Sequence, residues 1–243
     1  MNFKKSLTLA VAAIALTASL GTAQAAGKRD SFRIAWTIYA GWIPWDYVKT
    51  SGIMDKWADK YDIDVEIVQI NDYIESINQY TTGQFDGVVA TSMDALSIPA
   101  ASGVDTTALI VGDYSNGNDG IVSKDAKSVA ELEGETINLV QLSVSHYLLA
   151  RALEQNGLAE PDVNLVNTSD ADIVAAFQGN TVRTVVTWNP LLSTVAETPG
   201  SHEIFDSSQI PGHIKDLTLV NTETLKANPA LGKALVGAWY EMM

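Results

Sequence analysis

Residues 64–90 read DVEIVQINDYIESINQYTTGQFDGVVA. Asp64 to Ile70 is a β-branched run of strand length. Asp72 to Thr82 reads as a helix, opened by a D-x-x-E capping pattern in which Asp72 and Glu75 can each reach a free backbone N–H of the first turn. Gly83 ends it. Phe85 to Ala90 is apolar without alternation, the pattern of a strand covered on both faces. The three together form a strand–helix–strand unit, the connection that parallel strands require.

The pattern extends both ways from this unit. Upstream, Ser31 to Tyr39 is a β-rich run, and Trp45 to Tyr61 carries two short helical stretches broken at Gly52. Downstream, Met93 to Ser102 is helical and Thr106 to Val111 is a fourth strand. Asp113 to Gly120 (DYSNGNDG) is polar and turn-rich. Beyond it the alternation resumes. Thr136 to Leu142, Val163 to Val166 and Thr181 to Trp188 read as strands. Ser145 to Asn156 reads as a helix ended by Gly157, and Ala171 to Phe177 as a helix capped by Ser169 or Asp170. Asp216 to Val220 and Pro229 to Met243 add a last strand and helix. Two α/β modules with a polar hinge predict two lobes, each built on a mainly parallel central sheet. The expected division is 32–114 plus 213–243 for lobe 1 and 119–212 for lobe 2. The helical pattern at Trp239 to Met243 carries no stop signal. This favours a truncated chain over a natural terminus that frays.

Composition narrows the function classes. The 243 residues carry a formal charge of −14, which argues against nucleic acid and anionic membrane surfaces as partners. Cysteine is absent, so disulfides, thiolate nucleophiles, Cys-ligated zinc and acylation of a lipobox cysteine are excluded. Residues 1–25 read as a secretory signal peptide: Lys4 and Lys5 precede an apolar run from Leu7 to Leu20, and Ala23-Gln24-Ala25 is a small-x-small cleavage site. The apolar run is too short to span a membrane. Removing it takes two lysines and no acid, so the mature charge becomes −16. A soluble periplasmic protein without stable membrane insertion is expected.

The enzyme motifs are missing. His146, His202 and His213 lack metal-ligand spacing, and no G-x-S-x-G elbow, P-loop or G-x-G-x-x-G is present. The expectation is a binding protein, not an enzyme, with no cofactor. A periplasmic hydrolase would need a base and a nucleophile that the sequence does not present together.

Several segments in the same order resemble one family. Ile34-Ala35-Trp36 leads into Gly41-Trp42-Ile43-Pro44-Trp45, and Gly83-Gln84-Phe85-Asp86-Gly87-Val88-Val89 is similar to a G-x-x-D strand. Ser128-Val129-Ala130-Glu131-Leu132-Glu133-Gly134, Ser145-His146-Tyr147-Leu148-Leu149 with Asn156-Gly157-Leu158, and Val186-Thr187-Trp188-Asn189-Pro190 follow. The ordered set resembles periplasmic substrate-binding proteins of ABC importers, of the taurine, alkanesulfonate and nitrate type, which share a fold with thiamine-precursor binders. The Gly-Trp-Ile-Pro-Trp loop is most similar to binders associated with urea-carboxylase systems. The resemblance implies a type II periplasmic binding fold, a permease and a transport ATPase as partners, and a small nitrogen compound such as urea or guanidine as solute. It leaves open a sulfonate, nitrate or thiamine-precursor binder and a sensory binding protein that docks on a receptor. The fold family also includes a pyrimidine synthase, which the export signal and the missing cysteines oppose.

In open α/β sheets ligands sit beyond the carboxyl ends of strands. Those positions, with the helix starts beside them, supply Trp42, Asp72, Thr91, Ser92, Asp94, Asp119, Ser143, Ser145, Trp188 and Asn189 as candidate ligand-binding residues. Each also has a structural reading. Asp72, Ser143 and Ser145 can cap helices, Asn189 can shape a turn before Pro190, Asp94 can be a solvated first-turn acid, and Trp42 can be packing. The set holds carboxylates, hydroxyls, amides and aromatics, and no Lys or Arg. Helix N-termini alone give an anion about 0.3–1 kcal/mol, towards 2 when partly buried. A carboxylate about 4 Å from a cation is worth roughly 4 kcal/mol at an effective dielectric near 20, before desolvation. A Trp face adds about 0.5–2 kcal/mol. The set therefore favours a small cation or a donor-rich neutral amide. Guanidinium, planar and weakly hydrated, suits both features.

Overall fold

The computed structural model describes residues 29–179 and 181–243. The signal-peptide reading of residues 1–25 lies outside the described residues. No helix among the described residues is long and apolar enough to cross a membrane.

Strands β1 (Ser31–Trp36), β2 (Asp64–Gln69), β3 (Gly87–Thr91), β4 (Thr106–Tyr114) and β10 (Lys215–Asn221) form one sheet, in the order β2-β1-β3-β10-β4. Strands β5 (Asp119–Ser123), β6 (Thr136–Leu139), β7 (Asn164–Asn167), β8 (Thr184–Trp188) and β9 (His202–Asp206) form the other, in the order β7-β6-β8-β5-β9. The first carries helices α1 (Pro44–Thr50), α2 (Ile53–Lys60), α3 (Tyr73–Thr81), α4 (Ser92–Ala95), α8 (Thr222–Ala227) and α9 (Pro229–Met242). The second carries α5 (Val144–Gln155), α6 (Asp170–Gln178) and α7 (Leu191–Ala196). This is the two-lobe α/β architecture that the alternation predicts.

Each sheet is mixed rather than mainly parallel. In the first, β1 pairs parallel with β2 and β3, while β10 runs antiparallel to β3 and β4. In the second, β6 pairs parallel with β7 and β8, while β5 runs antiparallel to β8 and β9. The reason is chain routing. The chain leaves lobe 1 after β4, and the crossing strands β5 and β10 enter the neighbouring sheet against the direction of its helix-linked strands. The Asp113–Gly120 stretch, read as a loop, contains the end of β4 and the start of β5. Strand β9 and helix α7 are further elements that the sequence reading did not assign.

Local signals act as read. Asp72 accepts from the Glu75 N–H at 2.8 Å and caps α3. Ser143 accepts from the Ser145 N–H at 3.1 Å and caps α5. Gly52 and Gly83 take positive φ where the helices break. Trp45 is fully buried, its ring 5.2 Å from that of Trp239 in α9, and Asp46 is exposed. Gly87, at the start of β3, has no room for a side chain: a Cβ there would stand 2.6 Å from the Leu219 carbonyl oxygen and 2.8 Å from Ile34 Cδ1. Gly87→Ala is expected to cost about 2 kcal/mol, read as a lower urea midpoint at unchanged slope.

Two crossings join the lobes, one between Tyr114 and Asp119 and one between Asp206 and Lys215. They are tied together. The Ser115 and Ser207 hydroxyls lie 2.7 Å apart, the Ser115 N–H donates to the Ile214 carbonyl at 2.9 Å, and the Gly117 N–H donates to Ser207 Oγ at 2.8 Å.

Candidate ligand site between the lobes

The first residue of β5 is an acid. Asp119 is fully buried; its Oδ2 accepts from Ser115 Oγ and, at 3.3 Å, from the Tyr39 hydroxyl, while Oδ1 has no partner among the described residues. Asp94, in α4, is also fully buried. Its Oδ2 accepts from the Tyr73 hydroxyl at 2.6 Å, from Thr91 Oγ1 at 2.9 Å and from the Val144 N–H at 3.2 Å, and its Oδ1 has no partner. A third buried acid, Asp216, stands on β10 in register with Asp113 of β4 and lies against Asp113 and the Trp42 indole N–H. The loop backbone at Gly41 closes on this pair. A Cβ there would stand 2.9 Å from an Asp113 oxygen and 3.1 Å from an Asp216 oxygen, so glycine permits the approach. Among the described residues no basic side chain forms an ion pair with any of these four acids.

Burial without a counter-charge disfavours ionisation. It pushes Asp94 up to about 6 against the hydrogen bonds from Tyr73 and Thr91. It pushes Asp119 up to about 7 against those from Ser115 and Tyr39, with the charge of Asp94 adding to the rise. Asp216 is driven far above the carboxylate range by burial and then by its neighbour Asp113. Tyr39 and Tyr73 are raised by burial and by the acids beside them, and both phenols remain hydrogen-bond donors.

Aromatic rings link the acids. Tyr39 and Trp42 have centroids 4.8 Å apart, Trp42 and Tyr73 5.3 Å, and Tyr73 meets Trp188 edge-on at 5.4 Å. All four are buried. Among the described residues the indole N–H of Trp188 has no acceptor, and Thr187 Oγ1 and Ser145 Oγ are buried without partners. Buried polar groups are ordinarily satisfied, so this concentration of spare donors and acceptors marks the place where a ligand would complete the bonding.

Six of the candidate residues meet here. Trp42, Thr91 and Asp94 come from lobe 1. Asp119, Ser145 and Trp188 come from lobe 2, where Asp119 and Trp188 are paired across β5 and β8. The other four lie outside the cluster. Ser143 caps α5 and donates to the Val140 carbonyl at 2.7 Å. Asp72 is engaged in capping α3. Ser92 accepts from the Lys215 N–H at 3.3 Å and faces the His213 carbonyl. Asn189 directs its Oδ1 at the Ser193 N–H (3.1 Å) and hydroxyl (2.6 Å), while its carbonyl accepts from the Ala40 N–H of lobe 1 at 3.1 Å. Sequence reasoning missed Tyr39, Tyr73, Asp113, Ser115 and Asp216. Asp216 did leave a signal, as an acid at the head of the apolar run Leu217 to Val220.

Residues 57–241 match the family described as NMT1/THI5 like. The chain belongs to the NMT1/THI5-like family. A protein of Escherichia coli (strain K12), named provisionally as an aliphatic sulfonates-binding protein, is 34% identical over 84 residues, which are 35% of this chain and 26% of that protein. The match therefore spans about a quarter of that relative's length. Among solved structures, the periplasmic aliphatic sulphonate binding protein SsuA from Escherichia coli superposes with TM-score 0.73 at 21% identity, over 88% of this chain and 73% of that one. The periplasmic nitrate-binding protein NrtA from Synechocystis PCC 6803 superposes with TM-score 0.73 at 15% identity, over 89% of this chain and 62% of that one. At these identities the likeness establishes the two-lobe fold of this NMT1/THI5-like protein.

Proposed function

We propose that this NMT1/THI5-like protein is the extracytoplasmic solute-binding component of an ABC import system. It captures a small nitrogen-containing solute between lobe 1 (32–114 with 213–243) and lobe 2 (119–212). Hinge closure about the two crossings clasps the solute, and the closed form is what a permease and its ATPase receive. Membership of the family and the fold shared with periplasmic binding proteins support the transport role.

The solute is guanidinium or a compact amide such as urea. The observation that carries this choice is the pair of buried carboxylates Asp94 and Asp119, each with a spare oxygen and, among the described residues, no basic partner. A planar cation bearing N–H groups in its plane supplies the missing charge and donors together. The tyrosine and tryptophan rings supply faces for it. The proposed contacts are Trp42, Asp94, Asp119 and Trp188, with Thr91 and Ser145 shaping the wall, and Asp72, Ser92, Ser143 and Asn189 holding the surrounding loops and helix starts.

A second reading, capture of a sulfonate or nitrate, has the names of the similar proteins in its favour. An oxyanion needs helix N-termini or basic side chains. Here the Val144 N–H is bonded to Asp94, and the Tyr73 N–H faces an oxygen of Asp170 at 3.4 Å.

Calorimetric titration of the purified protein against guanidinium, urea, taurine, nitrate and a thiamine pyrimidine precursor tests the choice. Binding of guanidinium or urea supports the reading; binding of taurine or nitrate alone replaces it with the second. Trp42→Leu combined with Trp188→Leu is expected to weaken guanidinium binding by about 100-fold, since each ring face contributes up to about 2 kcal/mol. Unchanged affinity in the folded double variant removes the aromatic wall from the site.

A further inference from the structure

The two lobes exchange acids at their helix ends. Asp94 of lobe 1 lies against the N-terminus of α5 in lobe 2, bonded to the Val144 N–H at 3.2 Å. Asp170 of lobe 2 reaches the N-terminus of α3 in lobe 1, with its Oδ1 3.4 Å from the Tyr73 N–H. The α5 end is built beyond its backbone. The Tyr73 hydroxyl, Thr91 Oγ1 and the Val144 N–H converge on one oxygen of Asp94, and Ser145 Oγ, fully buried on the same first turn, has no partner of its own. Three donors on one carboxylate oxygen are the coordination a small oxyanion receives.

We propose that Asp94 is a specificity-determining residue that acts as a built-in anion, filling the N-terminus of α5 and thereby excluding sulfonates and nitrate. The idea rests on the reading of the interlobe cleft as the ligand site and adds the means by which that site rejects the opposite charge. An oxyanion entering at α5 would meet an occupied N–H and a carboxylate a few ångströms away. With the carboxylate removed, the same donors are left to hold the anion in its place.

The test is titration of nitrate and methanesulfonate into wild type, Asp94→Ala, Asp94→Ser and Asp170→Ala at pH 8, with melting curves as the check on folding. Wild type is expected to give no binding. Asp94→Ala is expected to gain about tenfold or more in affinity, and its melting temperature to climb with added nitrate or formate. Asp170→Ala is expected to stay silent, because the Asp72 carboxylate still caps α3. Wild type binding the anions as tightly as the Asp94 variants overturns the proposal. So does silence of folded Asp94→Ala, or of Asp94→Ser where Asp94→Ala does not fold. Guanidinium titrated into wild type reports separately on the solute. Anion gain in the Asp94 variants with no guanidinium binding by wild type keeps the exclusion device and removes the guanidinium reading. The reverse result keeps that reading and removes the device.

Discussion

Replacing Asp119 by Asn is expected to weaken guanidinium binding by about 10–100-fold and, in the same variant, to raise the melting temperature at pH 8. Both effects have one cause. Asp119 is fully buried, with no basic partner among the described residues and one oxygen unbonded. Its ionisation is displaced up to about 7 by burial. At pH 8 that displacement costs the folded state about 4 kcal/mol relative to the unfolded chain, where the carboxyl titrates normally, from about 1.36 kcal/mol for each unit of displacement. The amide removes that cost and keeps an oxygen for the Ser115 and Tyr39 donors. It leaves an unpartnered NH₂, worth about 1–3 kcal/mol against it. The net gain corresponds to a rise of several degrees at this chain length, about 2–4 °C per kcal/mol. At pH 5 the wild-type carboxyl is already protonated and the gain is expected to vanish. A cation loses its charge-assisted bond in the variant, so the site gives up affinity as the fold gains stability. Equal affinities in wild type and variant would place the solute away from Asp119.

The fold was legible where local signals carry it. The Asp72 cap, the Gly83 stop and the unbroken apolar run of β3 identify the central unit from short-range chemistry alone. The strands that close each lobe were harder. Strand β5 begins at Asp119, inside a stretch whose Asn, Gly and Asp content reads as turn. Strand β9 (HEIFD) pairs only with β5 and presents charged, partly exposed residues. Strand β10 was read as a strand, but its antiparallel place between β3 and β4 depends on the long return from lobe 2, which leaves no mark in its own seven residues. The site divides in the same way. Trp42, Asp94, Asp119 and Trp188 fall at strand ends and helix starts, so the geometry of open sheets picks them out. Asp113 and Asp216 become neighbours only when β10 pairs with β4. Tyr39 and Tyr73 are ordinary aromatic residues of a strand end and a first helical turn until the fold brings their hydroxyls to acids on β5 and α4.

Guanidinium affinity is expected to rise steeply with pH while urea affinity stays nearly level. Burial lifts Asp94 to about 6 and Asp119 to about 7 in the folded protein. Below those values a cation must displace a proton from the carboxyl it engages. Affinity then falls about tenfold for each pH unit, or about 100-fold between pH 7 and pH 5 if Asp119 is the partner. Urea carries no charge and displaces no proton. The ligand-free protein is expected to respond in the opposite direction. Unfolded aspartates titrate near 3.9, so between about pH 4 and 7 the folded state binds more protons than the unfolded state, and stability falls as pH rises. Asp170, lifted to about 6 by burial, adds to the same trend. Asp125, lowered by Arg183, and Glu241, lowered by Lys56, act below the ordinary carboxylate range and leave this window unaffected. Melting temperatures measured from pH 5 to pH 8 are therefore expected to decline without ligand and to recover with guanidinium, most strongly at pH 8. A decline that guanidinium leaves untouched would mean that the buried acids titrate as read but bind no cation. A flat profile without ligand would mean that these carboxylates are not held in the buried arrangement, and the acidic site would fall with it.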